Sequence, residues 1–231
     1  MRHLISIIVP TLDEKDNVLR VIELVRSINS KTVNLEIIFV DDMSTDGTSQ
    51  LILENRCNSI SLITSPKRQG LGNALNLGVE ASKSDYILFL DCDCSVSTDD
   101  LKKLIGSRQP DTMVIGSRYL KESKVIGAPK IKVFLSRFLN FIVAKYLSLK
   151  VSDLSHSLRI FPRKMNVPKD LLSHPGYFWS FCLDIRLSGY KIKEIPITFN
   201  ERKAGHTKNT TRKMLKSVLR SLKHIKNRSK K

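Results

Sequence analysis

The 231-residue sequence contains no apolar run approaching the ~18 to 20 residues that a membrane-spanning helix requires, so a soluble or peripheral protein with no membrane-spanning helix of its own is expected. Cysteine is scarce as well. Cys57, Cys92, Cys94 and Cys182 are scattered without a C-x-x-C pair, which argues against a disulfide framework and a thiolate zinc site and fits reduced thiols. The opening Met1-Arg2-His3-Leu4 leads straight into a strand-like stretch, too short and wrongly flanked for a signal peptide, and a cytoplasmic setting is expected. Internal repeats and low-complexity blocks are lacking. Acidic residues are missing from the end of the chain: from Arg202 onward there are 12 Lys or Arg and no Asp or Glu. The overall charge of +17 therefore belongs largely to this tail, and a uniformly basic surface for nucleic acid is not implied.

What is present is a repeating order of strands and helices. Leu4 to Val9 and Leu35 to Val40 are continuous apolar runs that read as buried parallel strands. Val18, Ile22, Val25 and Ile28 recur between them at helical spacing, after a start rich in acids. Asp46-Gly47-Thr48 reads as a turn into a helix through Leu51, Ile52 and Leu53. Ile60 to Thr64 follows as a strand, Leu71, Leu75 and Val79 as a helix, and Tyr86 to Leu90 and Met113 to Ile115 as further strands. This order predicts an α/β domain with a doubly wound, mainly parallel sheet and ligands at the strand carboxyl ends. Lys130 to Leu149 reads as one or two amphipathic helices, either in the core or in a membrane interface. Ile192 to Phe199 is a late strand, placed at an edge by Pro196. The division expected is a domain over 1–205 and a basic amphipathic helix and tail over 206–231, docked on the domain or held on an anionic surface.

Chemistry concentrates where strands end. Asp91-Cys92-Asp93 closes the run Tyr86 to Leu90, and a turn there brings two carboxylates toward one hard cation able to neutralise a diphosphate. Cys92 and Cys94 read as small fillers turned away from that site. Pro10-Thr11-Leu12-Asp13-Glu14 ends the first strand, Asp41-Asp42 the second, and Gly70-Leu71-Gly72 opens the third helix.

Taken together with Gly116-Ser117-Arg118-Tyr119, Gly176-Tyr177, the segment Gly189 to Ile197, and Arg202 with Gly205 to Lys208, these motifs resemble the family 2 glycosyltransferases of the GT-A fold. The nearest likeness is to the dolichyl-phosphate mannosyltransferase and polyprenyl-phosphate glycosyltransferase group. The resemblance implies that Pro10, Leu12, Glu14, Asp41, Arg68, Asp91, Ser95 and Lys208 bind the nucleotide sugar. Asp91 and Asp93 would hold Mg²⁺ or Mn²⁺. It gives catalytic roles to Asp93, Arg118 and Arg202, whose cations would meet charge on the leaving diphosphate. Lys132, Ser136 and Arg159 would take the acceptor phosphate.

The activity implied is inverting transfer of mannose or glucose from a GDP- or UDP-sugar to polyprenyl or dolichyl phosphate. The setting implied is peripheral, on the cytosolic face of an anionic membrane, with room for a membrane-spanning partner and no role for nucleic acid. A lipid phosphate is already anionic and attacks unaided, whereas a sugar hydroxyl needs a base. The Glu-Asp pair of hydroxyl-directed relatives is missing, and Asp184 is the nearby stand-in. Other departures are Lys132 where an Arg is usual four residues before Ser136, and Ser157 where a Gly is usual between Asp153 and Arg159. Transfer to a saccharide hydroxyl, and a sugar-nucleotide binder without turnover, remain as alternatives.

Overall fold

A computed structural model describes residues 3–28, 33–168 and 175–201, then 218, 220–223 and 226–227. The first half alternates as the apolar periodicity predicts: β1 (His3–Thr11), α1 (Lys15–Arg26), β2 (Val33–Asp41), α2 (Thr48–Glu54), β3 (Ile60–Thr64), α3 (Leu71–Ala81) and β4 (Tyr86–Phe89). The second half is less regular: α4 (Thr98–Gly106), β5 (Thr112–Ser117), β6 (Lys124–Ile126), α5 (Lys130–Tyr146), β7 (Arg159–Pro162), α6 (Gly176–Leu187), β8 (Lys191–Pro196) and β9 (Thr198–Asn200).

Seven strands form one sheet in the order β3-β2-β1-β4-β7-β5-β8, and β6 pairs with β9 separately. β1, β2, β3 and β4 pair in parallel, as do β5 and β8. β7 runs antiparallel to both β4 and β5. Its insertion interrupts the parallel order expected from the sequence, and it matters for the site because it reverses the direction of one strand at the centre. β8 is an edge strand, in keeping with Pro196; the late strand ends there and β9 leaves for the small sheet.

Alternation along β1 divides the core in two. Ile5, Ile7 and Val9 face one side with α1 and α4, while Ile8 faces the other with Leu75 of α3 and Phe181 of α6. A Cβ at Gly78 of α3 would overlap Ile8, so glycine there lets helix and sheet approach closely. Ser97 caps α4, its hydroxyl accepting from the Asp100 amide at 3.1 Å. α5 presses Asn140, Val143 and Ala144 onto the domain. Most of 206–231 lies outside the described residues. Within it, 220–223 is helical, Val218 is buried in the second core and Leu222 packs against it.

Candidate active site

The parallel strands β1, β2 and β4 end side by side, which brings their three loops to one rim of the sheet. A non-glycine residue with positive φ stands in each: Asp13 (49°), Met43 (65°) and Cys94 (52°). Such residues persist only where the surrounding structure holds them, and they concentrate at functional sites.

The first two loops are stitched together. Ser44 Oγ accepts from the Asp13 amide at 2.8 Å, and Asp13 Oδ1 accepts from the Thr45 amide at 2.8 Å. Thr48 Oγ1 accepts from the Glu14 amide, and the Glu14 carboxylate accepts from Asn17 Nδ2 at 2.7 Å. Buried Asp41 accepts from Thr11 Oγ1 (3.0 Å), the Ser44 amide (2.9 Å), Ser49 Oγ (2.8 Å) and Ser44 Oγ. Four donors match the capacity of a carboxylate, so a base or ribose donor at Asp41 would have to displace one of these hydroxyls. Its neighbour Asp42 was not singled out in the sequence. It accepts from the Gln69 and Gly70 amides at 2.9 and 2.8 Å and so holds the glycine turn that starts α3. Arg68, just before that turn, reaches Asp13 at 3.8 Å. Pro10 and Leu12 line the same rim, half-buried.

The third loop carries the paired carboxylates. β4 ends at Phe89 and the chain turns through Cys92 and Asp93, so a turn, not a continued strand, presents Asp91 and Asp93. Asp93 Oδ1 accepts from the Ser95 amide at 3.1 Å. Ser95 is itself buried, and its carbonyl accepts from the Asn200 amide, which ties this loop to β9. Cys92 is buried and Cys94 half-buried, as expected of fillers, and burial pushes the Cys94 thiol up to about 11.

Because β7 is antiparallel, its amino end lies beside the carboxyl ends of β4 and β5. The approach to it, residues 153–158, therefore threads between Asp91 and Arg118. Ser157 Oγ donates to Asp91 Oδ2. Arg118 Nε and Nη2 donate to the two oxygens of Asp153 at 2.7 and 2.9 Å, and the Arg118 amide adds a third bond. Burial alone would raise the Asp153 pKa, but the Arg118 charge prevails and holds it down to about 2. Arg118 also lies over the rings of Tyr119 and Phe199. Glu194 fixes the loop from behind, accepting from the Ser152 and Asp153 amides at 2.8 and 2.9 Å. Asn140 of α5 exchanges two 3.0 Å bonds with Ser155. His156 is buried within the loop; burial first, and then the charge of Arg118, push its pKa down to about 3, so the ring is neutral.

The expected acceptor residues do not come together. Lys132 is exposed and lies 3.7 Å from Glu201, while Ser136, one turn along α5, accepts from the Tyr119 hydroxyl at 2.7 Å. Arg159 points into the core instead. Fully enclosed, it donates to the carbonyls of Leu154 and His156 and packs over Phe178 at 4.4 Å. The reversal of β7 explains the difference: Arg159 is the first residue of a central strand rather than part of a loop. Asp184 stands in the last turn of α6, just before the chain enters β8. Arg202 and Lys208 lie outside the described residues.

The comparisons with known proteins agree with this geometry. The family described as Glycosyl transferase family 2 matches residues 6–167. This chain belongs to the family 2 glycosyltransferases. It is 29% identical over 206 residues to a low-salt glycan biosynthesis hexosyltransferase of Haloferax volcanii, covering 86% of this chain but only 48% of that protein, so it spans about half that relative's length. It is 27% identical over 213 residues to a polyprenol monophosphomannose synthase of Mycolicibacterium smegmatis, covering 87% of this chain and 79% of the relative. Glucosyl-3-phosphoglycerate synthase of Mycobacterium tuberculosis, solved with Mn²⁺ and UDP-glucose, superposes with a TM-score of 0.70 at 18% identity, covering 95% of this chain and 77% of that one. The fold of this glycosyltransferase is accordingly GT-A.

The donor atoms around Asp91 and Asp93 are carboxylate oxygens, with the nearby thiols buried or protonated, which fits a hard divalent cation. Among the described residues no group of three His, Cys, Asp or Glu is placed to hold a metal.

Proposed function

We propose that this glycosyltransferase moves mannose or glucose from a GDP- or UDP-sugar to a polyprenyl phosphate, with inversion, at the cytosolic face of an anionic membrane. The likeness to polyprenol monophosphomannose synthase along 87% of the chain carries the acceptor class. The missing Glu-Asp pair of hydroxyl-directed relatives supports it, because a phosphate acceptor requires no base whereas a hydroxyl does. In this reading the loops after β1 and β2 cradle the nucleotide, with Arg68 beside its phosphates. Asp91 and Asp93 hold Mg²⁺ or Mn²⁺, which when bound offsets charge on the diphosphate. Arg118, oriented by Asp153, faces the same rim, and Arg202 and Lys208 add cations from the tail. Lys132 and Ser136 remain the acceptor-side pair, whereas Arg159 acts indirectly by holding the carbonyls of its loop.

The test is transfer of radiolabel to liposomes containing polyprenyl phosphate, with GDP-mannose and UDP-glucose in separate reactions. Label is expected in the lipid phase from one donor, lost on EDTA treatment and reduced on the order of 10²- to 10³-fold in Asp93→Ala at an unchanged melting temperature. Glycosylation of a saccharide with none of the lipid would replace this reading by the hydroxyl-directed one.

A further inference from the structure

α5 is apolar around most of its circumference, yet only one side is packed. Asn140, Val143 and Ala144 face the domain. On the opposite side Ile131, Phe134, Leu135, Phe138, Phe141 and Ile142 are exposed among the described residues, with Phe134 at 64%, Phe138 at 52% and Phe141 at 61%. The rings of Phe134 and Phe138 stack in parallel, 6.3 Å apart, across one turn. An apolar face of this extent marks a surface that meets something other than water.

The charges around it select the occupant. From Ser123 to Ser152 the chain has six basic residues, Lys124, Lys130, Lys132, Arg137, Lys145 and Lys150, and no acid. All six are exposed. At helical spacing, Lys130 and Arg137 flank one edge of the exposed apolar stripe and Lys132 the other, while Lys145 falls on the stripe itself in the last turn. A second copy laid on this face would set cation against cation, and so would the tail, which carries 12 basic residues and no acid. No helix among the described residues is long and apolar enough to cross a membrane. A 17-residue helix with an apolar outer face and basic edges suits the plane of a headgroup layer.

We infer that α5 lies in the interface of an anionic bilayer, its outer face below the headgroups and its lysines and arginine against lipid phosphates. This deepens the proposed function and rests on it only for its purpose. α5 also carries Ser136, bonded to Tyr119 beside Arg118, and Asn140, bonded to the 153–157 loop. Immersion of α5 would therefore set the rim of the site at the height of a lipid phosphate.

The experiment uses the full chain and vesicles of phosphatidylcholine with or without phosphatidylglycerol, free of polyprenyl phosphate. A Phe138→Trp reporter is expected to be quenched by lipids brominated near the headgroup, with at least ~10-fold stronger partition into the anionic vesicles. The combined variant Phe134→Ser, Phe138→Ser, Phe141→Ser is expected to lose partition by a similar factor while keeping its melting temperature and its transfer to a water-soluble short-chain polyprenyl phosphate. Absence of quenching would overturn the inference. So would undiminished partition of the triple variant, which would assign binding to the tail, or a dimer that disperses in that variant without vesicle binding. Quenching without sugar transfer to any polyprenyl phosphate would instead remove the proposed function and leave the docking of α5 standing.

Discussion

At the ends of β1 and β2 the carboxylates of Asp13, Asp41 and Asp42 are held mainly by hydroxyls and backbone amides, whereas across β7 the carboxylate of Asp153 is held by a guanidinium. The two regions do related work by different means. Neutral donors stitch the loops after β1 and β2 to each other and to the turn that opens α3. The other region joins Arg118, Asn140, Asp153 and Glu194 from four separate segments, and it places charge where water is excluded. Neutral hydrogen bonds tolerate loss of one partner better than a buried ion pair does.

That contrast is open to a direct break. Asp153→Ala strands the Arg118 guanidinium and is expected to lower stability by about 3–5 kcal/mol, against about 1–3 kcal/mol for Asp42→Ala, which strands two amides. Urea unfolding of both variants measures the difference, and equal losses would erase the distinction between the regions.

Acid should sharpen it. The folded His156 pKa is lowered to about 3, so below its ordinary value near 6.5 the unfolded chain binds a proton that the folded chain refuses. Its contribution is complete above about pH 6.5 and declines at about 1.4 kcal/mol per pH unit as the pH falls toward 3. Asp153, lowered to about 2, adds a second decline that begins near pH 4. Unfolding followed from pH 7 to 4 should be steeper for the native chain than for His156→Phe.

The smallest effect is expected where the two regions meet. Ser157→Gly removes the hydroxyl that Asp91 accepts from, and the KM for the sugar nucleotide should rise on the order of tenfold with melting unchanged. Initial rates over a range of donor concentrations test this, and an unchanged KM would mean that Asp91 is positioned without Ser157.

The first region was readable in the sequence because its signals are periodic or local. β1 and β2 are continuous apolar runs, and Asp41, Asp91 and Asp93 stand where the apolar runs of strands end. The second resisted for identifiable reasons. From Tyr177 to Leu183 α6 is apolar but for Ser180, so Gly176 to Leu187 has no clear stripe to detect. β7 has four residues, and its antiparallel direction is a property of the whole sheet. Arg159, which the resemblance assigns to the acceptor phosphate, is therefore enclosed between Phe178 and the Leu154 and His156 carbonyls. α4 is different: Ser97 followed by Asp99 and Asp100 is a helix-start signal that the sequence does contain. Asp42 was overshadowed by Asp41 because adjacent identical residues give no hint of which faces which turn.

The position of β7 also bears on how the chain is made. β4 sits in the middle of the finished sheet, yet its partner on that side, from Arg159 onward, emerges from the ribosome some seventy residues after Phe89. Until then β4 is an exposed edge on a nascent half-sheet, with Tyr86 to Phe89 offering unpaired backbone to any neighbouring strand. During synthesis this strand is a place where a chaperone would be of use.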